Sequence, residues 1–67
     1  KPDLRRHAIT RIYDGALESA GLNARVGSVI DDKKRGLVAQ VVLNGSSAED
    51  VGNVLSVYTR PWEEAKA

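Results

Sequence analysis

Two runs rich in Val and Ile, residues 23–31 and 37–43, flank the turn sequence Asp32-Lys33-Lys34-Arg35-Gly36, and this pairing constrains the fold more than any other feature. β-Branched residues on either side of a charged, Gly-terminated turn specify an antiparallel hairpin. A loop over residues 32–35 pairs Asp31 with Gly36, Ile30 with Leu37, Ser28 with Ala39, Val26 with Val41 and Ala24 with Leu43. That register gathers small and apolar residues on one face. A slip of one residue exchanges the faces, so the four-residue loop is the expected one. Two strands alone are marginal in water and need a cover.

The sequence offers two covers. Leu4, Ala8, Ile9, Ile12, Tyr13, Ala16, Leu17 and Ala20 recur at helical spacing, which predicts a helix over about residues 4–20. Asp3 is placed as its N-cap, and Gly21 suits the left-handed residue that ends it. His7, Thr10, Arg11, Asp14 and Glu18 fall on its polar side. A second helix opens at Asn44-Gly45-Ser46, with Ser46 and Glu49 spaced as a capping box. Ala48, Val51, Val54, Leu55 and Tyr58 share one of its faces, and Pro61 restricts Arg60 and stops or kinks it. Residues 56–60 read equally as its continuation or as a strand, and residues 60–67 read as a polar tail. The expected fold is therefore a small α+β domain in the order α-β-β-α, an antiparallel hairpin with both helices packed on its Val26/Val41 face.

Sixty-seven residues hold one domain, spanning 1–67. A domain this small buries only about 60% of the surface its unfolded chain exposes. With no Cys, neither a disulfide nor a thiolate metal site reinforces it. Small domains lacking such staples commonly gain stability from a partner or a parent chain. The chain starts Lys1-Pro2-Asp3 and contains no Met, so a module of a larger protein is expected. Ten Lys and Arg against nine Asp and Glu, a net charge of +1, show no strong basic excess of the kind that marks nucleic-acid binders. No apolar run approaches the roughly 20 residues of a membrane span, and a soluble domain is expected. The compartment is not legible.

Chemistry finds little to build on. The carboxylate pairs Asp14/Glu18, Asp31/Asp32, Glu49/Asp50 and Glu63/Glu64 fall on a polar helix face, in a turn, in a first helical turn and in the tail. Acid–base catalysis needs such groups held in a cleft that separates their pKa values. Asp14 is expected to pair with Arg11 instead. His7 is the only His, too few for a zinc site. Asn44-Gly45-Ser46-Ser47 leads into a helix N-terminus but lacks the Lys and second Gly of a phosphate loop. No catalytic residue, metal site or cofactor is expected, and the domain is read as non-enzymatic.

Partners are the better expectation. The face opposite the helices carries Val29, Val38 and Val42, an apolar surface beside unpaired strand edges. Burial of these three residues, with Trp62 as an anchor and backbone pairing along residues 37–43, describes a protein-interaction or self-associating module, a homodimer being its simplest form. The alternative is nucleic-acid binding through the basic helix start, Arg5 and Arg6, and the hairpin tip, Lys33, Lys34 and Arg35. The order helix, strand, strand, helix resembles that of many small assembly domains and approaches that of double-stranded-RNA-binding domains, which carry a third strand. That resemblance is one of element order, and element order does not imply function.

Overall fold

The structure, a computed structural model, describes residues 2–65, with side chains from Leu4 onward. Helix α1 covers Pro2–Ser19, strand β1 Arg25–Asp32, strand β2 Gly36–Val42, helix α2 Ala48–Leu55 and strand β3 Trp62–Glu64. The α+β class and the helix, hairpin, helix order are as expected, and a short third strand joins the sheet in the order β1-β2-β3.

α1 begins at Pro2, where a missing N–H costs nothing. Asp3 thus lies inside the helix rather than at its cap, and its side chain is outside the described residues. The other end is a Schellman turn. Gly21 has φ +78°, its N–H donates to the Glu18 carbonyl at 2.9 Å, and the Leu22 N–H reaches the Leu17 carbonyl at 3.0 Å. Ile9, Tyr13 and Leu17 form the buried stripe of α1. At 100° per residue, the apolar arc from Leu4 round to Leu17 spans roughly 220°, about twice what one packed face needs. The sheet covers only part of it, and Leu4 and Ile12 stay 67% and 51% exposed.

The hairpin corrects the expected register. Its loop is Lys33-Lys34-Arg35, so Asp32 pairs with Gly36, Ile30 with Val38, Val29 with Ala39 and Ser28 with Gln40. Val26 nonetheless pairs with Val41, because a β-bulge between Val26 and Ser28 adds one residue to β1. Gly27 is the residue that fits there. A Cβ on it would lie 3.1 Å from Val42 Cγ2, tighter than side chains normally approach. Beyond the bulge the alternation of β1 is inverted. Val29 turns to the core, and Ile30, expected in the core, turns to the opposite face with Val38. Asp14 does not pair with Arg11. Its Oδ1 accepts the Val26 amide at 2.7 Å and ties α1 to the bulged end of the strand.

Asn44 and Gly45, at φ 52° and 91°, make a tight turn closed by the Ser46 N–H on the Leu43 carbonyl at 2.8 Å. The helix cap falls one residue later than expected. Ser47 is extended, its Oγ accepts the Asp50 amide at 3.0 Å, and the predicted Ser46/Glu49 box is not the cap. α2 ends at Leu55, and residues 56–60 form turns and bends, neither helix nor strand. Ser56 Oγ turns back on the Asn53 carbonyl at 2.9 Å. Pro61 then forces Arg60 toward an extended backbone and launches β3.

β3 runs parallel to β2, with α2 as the crossover that a parallel pair requires. The Ala39 N–H donates to the Pro61 carbonyl at 3.1 Å and the Ala65 N–H to the Val41 carbonyl at 2.8 Å. The segment read as a polar tail therefore starts as a sheet strand, and it occupies the edge of β2 that was expected to be open. Trp62 pairs with Ala39 and packs on the core side, its Cζ2 3.5 Å from where a Cβ would stand on Gly52. Ile9, Tyr13 and Leu17 of α1, Val51 and Leu55 of α2, Val26, Ala39 and Val41 of the sheet, and Ala24 just before β1 make one core.

Candidate functional site

The expected apolar docking face is not there. Of its residues, Val29 packs against the core, Val38 has no accessible surface, and Val42 is half-buried beside Gly27. Trp62 is half-buried in β3 against the core, so it fills the domain's own interior. The physical reasons are the bulge, which rotates Val29 inward, and a polar roof, which closes over Val38.

That roof belongs to the face of the sheet opposite the helices. Ser28 Oγ donates to Gln40 Oε1 at 2.9 Å, and Gln40 Nε2 donates to Glu63 Oε2 at 3.0 Å. The other Glu63 oxygen, Oε1, takes Arg35 Nη2 at 2.9 Å, and the same nitrogen meets Asp32 Oδ2 at 3.1 Å. Glu63 stands beside Gln40, and Arg35 lies at the loop, so the ion pair between them crosses the position of Val38. This string joins all three strands and makes the face polar.

The basic residues divide. Arg35 is engaged by two carboxylates, which raise its pKa, the Asp32 hydrogen bond contributing most. Asp32 is held below the usual carboxylate range, first by the amides of Lys34 and Arg35 at 2.8 and 3.1 Å and then by the Arg35 side chain. Lys33 and Lys34 are exposed at the tip, while Arg6 is half-buried and has bonding partners of its own. Arg5, in the first turns of α1, shares a small depression with Asp31, Gly36 and Leu37, so the start of α1 and the loop end of the hairpin lie at one end of the molecule. Lys1 is outside the described residues.

An apolar concavity lies elsewhere. A groove of about 260 Å³ runs between α1 and the segment that follows α2. Ala8, Ile9, Ile12 and Tyr13 form the α1 wall, and Tyr58, Thr59 and Arg60 form the other, with Arg5 at the rim. Two contacts set its width. The Tyr13 hydroxyl donates to the Arg60 carbonyl at 2.8 Å, and the Tyr13 and Tyr58 rings stack tilted, with centroids 5.2 Å apart. Burial pushes the Tyr13 phenol above its usual pKa, against the lowering effect of the neighbouring Arg60 charge. Leu4, one turn before Ala8 on the same side of α1, extends the apolar strip beyond the groove, and Val57, next in chain to Tyr58, is 77% exposed. The sequence held a signal for this site in the excess width of the α1 apolar arc, which no single sheet face can cover.

His7 is exposed on α1, and among the described residues no three His, Cys, Asp or Glu come together to hold a metal ion. The α2 N-terminus already carries its Ser47 cap with Glu49 and Asp50 in the first turn, negative charges that oppose a phosphate. No described helix is long and apolar enough to cross a membrane. No protein-family model, curated protein or solved structure matches the chain.

Proposed function

We propose that the domain is a non-catalytic protein-interaction module that docks an apolar segment of another protein in the groove between α1 and residues 58–60. One observation carries this reading: α1 presents Leu4, Ala8 and Ile12 to solvent in line with an open apolar groove, while smaller apolar residues elsewhere are fully buried. Leu and Ile burial yields about 1.5–3 kcal/mol each when complete, and both residues are already partly covered. Against the cost of association, two such anchors support a weak, reversible complex. The tied Tyr13–Arg60 contact favours docking by keeping both walls in place before a partner arrives.

The test is a titration of isotope-labelled domain with a helical peptide bearing Leu at i and i+4. Amide shifts centred on Ala8, Ile12 and Tyr58, and their loss in Ile12→Asp, are the expected result. No shifts, or shifts spread over the outer sheet face, would remove the reading. Concentration-dependent shifts without peptide, at the same residues, would identify a second copy of the chain as the occupant.

A second reading rests on the meeting of Arg5 with the loop end of the hairpin, where Lys33 and Lys34 are exposed. It takes the domain to bind a nucleic-acid backbone there. Binding of duplex RNA that weakens steeply with salt, and more so in Lys33→Ala/Lys34→Ala, is its signature. Absence of binding at low salt ends it.

A further inference from the structure

We propose that the groove selects a partner segment that is acidic as well as apolar, whose carboxylate is taken between the guanidinium groups of Arg5 and Arg60. The inference rests on the docking reading above and adds the chemistry of the occupant. Both arginines line the apolar groove, and both also line the adjoining depression of about 210 Å³ that holds Asp31, Gly36 and Leu37. They therefore mark the boundary between the two hollows, where an apolar side chain seated beside Ile12 would place its neighbouring residues.

Charge complementarity gives the sign of the occupant. Arg35, the exposed arginine at the hairpin loop, has carboxylates at 2.9 and 3.1 Å. Arg5 and Arg60 have no carboxylate within 4.0 Å among the described residues. Among the described residues Asp31 is the one acid lining the shared depression, where it stands with the two arginines. Arg60 is also placed in advance: its carbonyl is held by the Tyr13 hydroxyl at 2.8 Å, and Pro61 restricts its backbone. A guanidinium is weakly hydrated and offers a planar fork, so a carboxylate brought in on an apolar segment can take two parallel hydrogen bonds.

The experiment compares two helical peptides with the same apolar residues, one with Glu flanking the anchor and one with Gln at those positions. Each is titrated into the whole domain and into two charge-matched variants, Arg5→Gln/Arg60→Gln and Lys33→Gln/Lys34→Gln. The Glu peptide is expected to bind about tenfold more tightly, the weight of one well-formed charge-assisted pair. That advantage, read as the ratio of the two peptides' affinities within each variant, should vanish in the arginine variant and persist in the lysine variant. Equal affinity of the two peptides overturns the acidic preference and leaves the docking groove standing. An equal loss in both variants overturns it too, by showing a general charge effect. Binding of neither peptide removes the docking reading itself.

Discussion

The Tyr13 hydroxyl donates a 2.8 Å hydrogen bond to the carbonyl of Arg60, joining residues 47 positions apart in the chain. It is the polar tie that fixes the segment after α2 against α1. Replacing Tyr13 with Phe keeps the buried ring and leaves the Arg60 carbonyl without this donor. We expect a loss of about 1 kcal/mol in chemical denaturation, with an unchanged denaturant slope and faster amide exchange over residues 58–60. The phenol gives a second readout. Its folded pKa lies above the unfolded value, so its contribution is whole below about pH 10 and is lost as pH rises through the folded pKa. The stability of Tyr13→Phe should therefore decline less over that alkaline range than that of the parent.

Val29 and Ile30 test the bulge. In the unbulged register Ile30 faces the core, whereas here Val29 does. Val29→Lys should cost about 2 kcal/mol or more, because the ammonium must leave an apolar setting or drag the strand with it. Ile30→Lys should cost less, since its stem can lie along the polar face and its amine can reach water near Asp32. Paired urea melts decide the matter. A greater loss in the Ile30 variant would contradict the bulged register.

Two adjacent serines separate the caps. Ser47→Ala removes the acceptor of the Asp50 amide and should cost about 1 kcal/mol. Ser46→Ala removes no capping bond and should fall within about 0.5 kcal/mol of the parent. Thermal melts of the two variants, measured side by side, check the order.

Asp32 predicts an acid transition in the hairpin loop. Its carboxyl is depressed in the folded domain, so its contribution is present above the unfolded carboxylate pKa, near 4, and is lost as pH falls through the folded value. Asp32→Asn should be less stable than the parent at neutral pH, and the gap should close as both are titrated below about pH 4. A gap that stays constant with pH would mean that the charge plays no part.

Much of this fold is legible in local pattern. The buried stripe Ile9, Tyr13, Leu17, the Gly21 terminus and the existence of a hairpin each depend on neighbours within a few residues, where spacing and backbone preference decide. The bulge was less legible. Each side of Gly27 alternates consistently by itself, and the phase between the two halves is set by partners far along the chain: Val41 opposite Val26, Ala39 opposite Val29, and the Asp14 carboxylate on the Val26 amide. A glycine inside a strand is the local sign of such a break, but it does not say which half moves.

The candidate site divides in the same way. The width of the apolar arc on α1 belongs to the sequence, since residue type and helical pitch are enough to produce it. Which part of that arc stays uncovered was decided by tertiary packing. The sheet and α2 take Ile9, Tyr13 and Leu17, residues 58–60 rise beside Ala8 and Ile12, and β3 with the Arg35–Glu63 pair closes the face where Val38 would otherwise be open. Local patterning assigns residues to faces. Only the long-range contacts among those faces determine which of them meets water.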